Sequence, residues 1–106
     1  MAALVGGFSK EMKATEEVQK IVDEVRSQAE AMAGKSFKEF KAISYRSQVV
    51  QGMNYLVKVQ VGDSSYVHLR IHQSLPQDGS KIELIAIRTG LSEDDSLDDF
   101  KADGKN

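Results

Sequence analysis

The spacing of apolar residues along this chain changes once, at Gly34, and that change limits the folds it can adopt. From Thr15 to Ala33, apolar residues recur every three or four positions, while charged residues occupy the other side. The apolar positions are Val18, Ile21, Val22, Val25, Ala29 and Met32. This pattern predicts one long amphipathic helix, capped at its start by Thr15 and ended by Gly34 in the left-handed conformation.

Beyond Gly34 the apolar residues alternate with polar ones, as they do in strands with one buried face. The alternating stretches lie around Ile43 and Tyr45, from Met53 to Val61, from Val67 to His72, and from Ile82 to Arg88. Leu56 is the exception, because it falls on the polar face of the second stretch. His68 and His72 share one face of the third stretch, and we expect them to form a row that faces solvent.

Short connections between these stretches favour antiparallel hairpins, and a sheet with one apolar face needs a cover. The single apolar stripe of the helix can provide that cover. The sequence therefore predicts an α+β fold, with one long N-terminal helix packed on an antiparallel sheet of four or five strands. A fifth strand would come from the residues before the helix, where Phe8 is the strong apolar anchor.

The length of the chain predicts a single domain. Its 106 residues, 41% of them hydrophobic, suffice for one core, which we expect to span residues 1–100. From Ser92 onward the chain is acidic, with only Leu97 and Phe100 to bury. We expect a solvated tail anchored at Phe100, with residues 101–106 disordered.

Charge and cysteine content exclude several classes of partner. The chain has 14 basic and 16 acidic residues, and a net charge of −2 gives no long-range attraction to nucleic acid or to an anionic membrane. Cysteine is absent, which excludes disulfides, thiolate metal sites and a thiol nucleophile. Residues 1–7 lack the basic start and the long apolar run of a secretory signal or membrane span. A cytoplasmic protein is the simplest interpretation, although a chain whose signal had been removed would look the same.

The sequence motifs of catalysis are missing as well. There is no Gly-x-Ser-x-Gly elbow and no phosphate-binding glycine loop. His68 and His72, four residues apart on a strand, would lie about 13 Å from each other, too far to chelate one metal ion. We therefore expect no enzyme activity, no cofactor and no metal site.

Three segments do not fit a role in the core, and the first lies where the first two strands reverse direction. It consists of Gln48, Val49, Val50, Gln51 and Gly52. Adjacent valines point to opposite sides of an extended backbone, so a sheet with one buried face cannot hide both. The alternative is that one valine packs inward and the other is incidental.

The second segment is Leu75 and Pro76, between the third and fourth strands, and by itself it is also compatible with an ordinary turn proline. In an antiparallel meander, this connection and the first reversal fall at the same end of the sheet. The third segment is Leu4, Val5, Gly6 and Gly7, near the N-terminus. Its glycines let the backbone lie close against another surface, although many termini are simply disordered.

Together these three segments resemble the pattern of the stefins, the small cystatins without disulfides. That family combines a glycine-containing N-terminal trunk, a central Gln-Val-Val-x-Gly hairpin and a second hairpin with Leu-Pro, on a helix-on-sheet fold. The resemblance extends to the helix start from Ala14 to Asp23, and to Asn54-Tyr55, Gly62-Asp63, His68-Leu69 and Ser74-Leu75-Pro76. It covers the chain from about Gly6 to Phe100.

The resemblance implies a reversible, tight-binding inhibitor of papain-like cysteine proteases such as papain and the cathepsins. A flexible trunk within residues 1–8 would fill one side of the protease cleft, with Leu4 and Val5 in pockets and Gly6 as the pivot, followed by Gly7. The segment from Gln48 to Gly52 and the pair Leu75-Pro76 would fill the other side. A binding scaffold of the same fold, diverged or engineered for another target, is the alternative. We expect a monomer, with a domain-swapped dimer as a second state.

Overall fold

The computed structural model describes residues 7–100, and these form five strands and two α-helices. The strands are β1 (Met12–Lys13), β2 (Lys41–Val50), β3 (Gly52–Gly62), β4 (Ser65–Gln73) and β5 (Ile82–Leu91). The helices are α1 (Glu16–Glu24) and α2 (Arg26–Ala33), and a short 3-10 turn spans Pro76–Asp78. Leu4, Val5, Gly6 and the tail at 101–106 lie outside the described residues.

The strands form one antiparallel sheet in the order β1-β2-β3-β4-β5, so each strand pairs with its neighbour in the chain. This confirms the predicted α+β architecture, and of the four or five strands expected the sheet has five. The fifth strand comes from the residues before the helix, as expected, but it is only two residues long and pairs with Ser44 and Tyr45 of β2. No helix within residues 7–100 is long and apolar enough to span a membrane.

The prediction of one long helix is wrong, because the helix is interrupted at Val25. The N–H of Val25 donates to the carbonyl of Val22, 3.1 Å away, in a tighter turn than an α-helix makes. The Val25 backbone, at φ −105° and ψ 7°, separates α1 from α2. The predicted ends are confirmed: Thr15 Oγ1 accepts the N–H of Val18, and Gly34 has φ +75°.

One face of the sheet, here called the front face, packs against the two helices. Its core contains Val18, Ile21, Val22, Val25 and Ala29 from the helices and Val57, Val59, Val61, Val67, Leu69, Ile71 and Leu84 from the strands. Met32, which the periodicity placed on the apolar stripe, is 51% exposed instead. Ala29 is the only fully buried residue of α2, and in the last turn of that helix Ala33 packs partly against this core while Met32 does not.

The opposite face, the back face, carries a second and smaller core. Leu56 and Ala86 pack there against Leu97 and Phe100, with Phe8 at the margin. Leu97 and Phe100 belong to the segment Ser92–Phe100, here called the C-terminal strap. The burial of Phe100 confirms its predicted anchoring role, and the strap explains why Leu56 lies on an otherwise polar face.

The strap also overturns the expected row of solvent-facing histidines. His68 is completely buried on the back face, and neither of its ring nitrogens has a hydrogen-bond partner among residues 7–100. His72 is partly buried, and its Nδ1 lies 2.8 Å from Asn54 Oδ1. Alternation along β4 predicted a polar face correctly, but it could not show that a distant segment covers part of that face.

Candidate functional site

The reversal between β2 and β3, here called loop 1 (Gln48–Gly52), is very tight. Val50 pairs with Gly52, which leaves Gln51 alone at the tip, and Gly52 has φ +95°. That backbone conformation favours glycine over residues with a side chain. Val49 is 71% exposed and Val50 is partly buried, so loop 1 presents one valine fully to solvent.

The connection between β4 and β5, here called loop 2 (Ser74–Lys81), is held by its own hydrogen bonds. The carbonyl of Leu75 accepts the N–H groups of Asp78 and Ser80 at 2.9 and 3.0 Å. Across the base of the loop, the N–H of Lys81 donates to Ser74 Oγ at 2.8 Å. Pro76 opens the 3-10 turn and is exposed, while Leu75 is partly buried. The loop therefore holds these two residues in a defined position.

Loop 1 and loop 2 are in direct contact. A Cβ atom added to Gly52 would overlap the carbonyl oxygen of Gln73 and would lie 3.2 Å from the carbonyl carbon of Ser74. The backbones therefore approach more closely than any other residue at position 52 would allow. The meander predicted that these loops share one end of the sheet, and this contact makes them a single edge.

A polar network lies directly behind this edge on the back face. Asn54 Nδ2 donates to Gln48 Oε1 at 3.0 Å, and Asn54 Oδ1 contacts His72 Nδ1 at 2.8 Å. The three side chains belong to β2, β3 and β4 and stand opposite one another in register. The sequence analysis did not assign Asn54 and His72 to this edge, although their register opposite Gln48 is a signal that could have done so.

The chain before the helix leads to the same edge. The N–H of Ser9 donates to the carbonyl of Ser47 at 2.7 Å, which extends the antiparallel pairing that starts at Met12 and Tyr45. In that direction the chain runs beside β2 toward loop 1. It reaches the exposed Gly7, the first described residue. Of the third predicted segment, Leu4, Val5 and Gly6 lie outside the described residues.

The edge is therefore a ridge built from two loops, with an N-terminal arm (Gly7–Glu11) directed toward it. Val49 and Pro76 expose apolar surface on rigid backbone, and they carry no titratable group. Within residues 7–100, no group of three or more potential ligands could hold a metal ion. Such a ridge can fill a concave site on another protein.

Comparisons with known proteins agree with this fold. The cystatin domain matches residues 6–84 of the chain. The chain is 46% identical to stefin-C of Bos taurus over 96 residues, which is 91% of this chain and 95% of the relative. It is 45% identical to cystatin-B of Homo sapiens over 97 residues, 92% of this chain and 99% of the relative.

A third relative is leukocyte cysteine proteinase inhibitor 1 of Sus scrofa, 43% identical over 97 residues, covering 92% of this chain and 94% of the relative. The chain belongs to the cystatin family, and within it to the stefin branch. This membership confirms the resemblance noted from the sequence. It also classes the chain with non-catalytic proteins, so the prediction that it is not an enzyme is confirmed.

Proposed function

We propose that the chain is a reversible, tight-binding inhibitor of papain-like cysteine proteases. In this proposal, loop 1, loop 2 and the N-terminal trunk enter the active-site cleft together. The contact of Gly52 with Gln73 is the observation that carries it, because it joins two exposed loops into one preformed ridge. The names of the relatives support the choice of target, since one of them is a cysteine proteinase inhibitor.

The rigidity of the ridge suits tight binding. Ordering mobile loops on association costs about 0.5–1.5 kcal/mol for each immobilised side chain, and a loop already held by hydrogen bonds avoids much of that cost. The bonds of loop 2 to Leu75 and Ser74, and the Gln48–Asn54–His72 network behind loop 1, hold the ridge before binding. Preformed partners of this kind are typical of protease–inhibitor interfaces.

Each segment has its own role in the proposal. Val49 and Val50 of loop 1 and Leu75 and Pro76 of loop 2 fill one side of the cleft. Gln48, Gln51 and Gly52 shape the reversal that presents the valines. Leu4 and Val5 fill pockets on the other side, with Gly6 and Gly7 allowing the backbone to pass close to the catalytic residues. The protease thiol is then covered without receiving a peptide bond to cleave.

The partners are papain and the cathepsins, and the chain acts as a monomer in the cytoplasm. A binding scaffold for another target is the competing function, because the same fold tolerates many changes in its loops. The two functions predict different effects on papain: an inhibitor abolishes its activity, whereas a scaffold for another target leaves that activity unchanged.

Titration of papain with the chain tests the proposal. Papain of known active-site concentration is incubated with increasing amounts of the chain, and residual hydrolysis of a small fluorogenic substrate is measured. We expect activity to fall linearly to zero at one chain per active site. Dilution of the complex should restore activity, because no covalent bond forms. Full papain and cathepsin activity at excess chain would contradict the proposal and favour the scaffold.

A further inference from the structure

Two arginines on the back face join the N-terminal arm to the C-terminal strap. Arg46 of β2 and Arg70 of β4 stand in one row across the sheet, on either side of Leu56. Each contacts the N-terminal arm on one side and the C-terminal strap on the other. We call this pair the arginine clasp.

Arg46 makes its contacts through hydrogen bonds to backbone carbonyls. Its Nε donates to the carbonyl of Ser9 in the arm at 2.8 Å, and its Nη1 donates to the carbonyl of Leu97 in the strap at 2.8 Å. Asp98 adds a longer ion pair at 3.9 Å. One guanidinium group thus bridges residues 9 and 97, which are remote in sequence. The planar fork of arginine donors makes this double contact feasible.

Arg70 joins the same two segments at the level of the small core. Its Nε donates to the carbonyl of Phe100 at 3.1 Å and lies 3.2 Å from Asp99 Oδ1. The carbon at the centre of its guanidinium group stands 5.8 Å from the centre of the Phe8 ring. Phe8 itself packs against the core that Leu97 and Phe100 complete. The arm is therefore held partly by the strap and not by β2 alone.

We infer that the C-terminal strap positions the N-terminal trunk for binding, through Arg46, Arg70 and Phe8. This inference rests on the proposed function. The residues of the clasp lie on the back face and act as positioning residues. Because contacts at Phe8 and Ser9 anchor the arm, its first described residue, Gly7, is held close to β2 on the side of loop 1. Anchoring raises the effective concentration of the trunk at the cleft once the loops have docked.

A double-mutant cycle tests the inference in the full-length chain. Arg46→Met keeps the apolar stem of the side chain and removes both bridging hydrogen bonds. It is compared with the parent in two backgrounds, the natural trunk and the trunk with Leu4→Ala and Val5→Ala. We expect Arg46→Met to raise the dissociation rate from papain roughly fivefold with the natural trunk, and by less than about twofold with the altered trunk.

Arg26→Met is the matched control. Arg26 also donates to a backbone carbonyl, that of Phe37 at 2.6 Å, and its guanidinium group also stacks on a ring, that of Phe40. It lies on the helical side and contacts neither end of the described chain, so its change should leave dissociation unaltered. Phe8→Ala removes the contact of the arm with Arg70 and leaves β2 unchanged. It should therefore raise the dissociation rate with the natural trunk and have a smaller effect with the altered trunk, as Arg46→Met does.

Hydrogen exchange gives a readout that does not depend on any protease. Arg46→Met should speed exchange of the Ser9 amide, which donates to Ser47, while amides of β3 keep their protection. Equal effects on dissociation in both trunk backgrounds, or unchanged Ser9 exchange, would overturn the inference. If the parent chain fails to inhibit papain, the proposed function is refuted, and the Ser9 amide still reports whether the clasp holds the arm.

Discussion

Gly52 of loop 1 lies against the backbone carbonyl of Gln73, at the end of β4, with no space for a side chain between them. Together with the nearby backbone of Ser74, this contact brings loop 1 against the start of loop 2 at the candidate binding edge. Glycine is needed at position 52 for two separate reasons, its positive φ of +95° and the approach of a neighbouring backbone.

Gly52→Ala should therefore disturb the binding edge more than backbone strain alone would. We expect it to lower the free energy of unfolding by more than the roughly 1–3 kcal/mol of a strained backbone position. It should also weaken papain inhibition at least tenfold, since loop 1 must move away from loop 2. Urea unfolding and inhibition constants provide the two measurements.

Gly79→Ala is the control for the contribution of strain. Gly79 also has φ +95°, but an added Cβ there would meet only the side chain of Lys81, at 3.7 Å. It should be less destabilising than Gly52→Ala. Equal losses of stability in the two variants would show that the contact with Gln73 is unimportant.

Deleting residues 1–6 should speed dissociation from papain roughly tenfold while leaving the association rate nearly unchanged. The reason is that a terminal segment makes its contacts after the rigid loops have docked. Deletion of residues 101–106 removes the same number of residues from the other end and should have no effect on either rate. Unchanged dissociation after the N-terminal deletion, against several papain-like proteases, would contradict the trunk assignment.

His68 should make the fold sensitive to acid. Burial, with the nearby positive charges of Lys58 and Arg88, lowers the pKa of His68 from 6.5 to about 4, and Asp95 and Glu11 oppose this only in part. The unfolded chain therefore binds a proton at His68 more readily than the folded chain does. The contribution of neutral His68 to the free energy of unfolding is fully present above about pH 6.5 and is lost as the pH falls toward 4.

His68→Leu should remove this sensitivity. Between pH 7.5 and pH 4.5, the parent should lose roughly 2–3 kcal/mol more of its free energy of unfolding than the variant does. Urea unfolding at both pH values measures the difference, and contributions of other titrating groups largely cancel between the two proteins. An identical pH dependence would show that His68 titrates normally.

The front face of the fold was predictable because its signal is local. The helix and four strands follow from apolar spacing within short windows, and Thr15 and Gly34 mark the helix ends by their own chemistry. The interruption at Val25 was not predictable, because the apolar spacing continues across it and only the backbone conformation departs from that of an α-helix. The exposure of Met32 was not predictable for a similar reason, since periodicity does not show which side chains the sheet covers.

The back face was not predictable because its partners are far apart in sequence. Lys58 donates to the carbonyl of Glu93 at 2.6 Å, and Arg46 reaches Leu97, contacts that no window of residues can reveal. The candidate binding edge was predictable in part. Two valines at a reversal indicated loop 1, and the meander indicated its proximity to loop 2. The contact of Gly52 with Gln73 could be recognised only in the structure.

The hairpin of loop 1 also predicts a second association state. If β2 and β3 straighten into one continuous strand, two chains can exchange their helices and first strands. Loop 1 then leaves the binding edge, so the resulting dimer should not inhibit papain. Freshly folded chain should elute as a monomer, and mild heating at high concentration should produce a slowly reverting dimer. A dimer with full inhibitory activity would contradict this prediction.

The central claim is that loop 1 binds the protease, and the inhibition constant of Val49→Asp against papain tests it most directly. Met32→Asp is the control, because Val49 and Met32 are the large apolar residues that are exposed within residues 7–100, at 71% and 51%. Val49→Asp should alter stability by no more than about 0.5 kcal/mol. Met32→Asp should cost no more than about 1 kcal/mol, because an acidic group in the last turn of α2 opposes the helix dipole. We predict that Val49→Asp, alone and with Val50→Asp, weakens inhibition at least tenfold while Met32→Asp leaves it unchanged. Equal inhibition constants for the parent and all three variants would contradict the account.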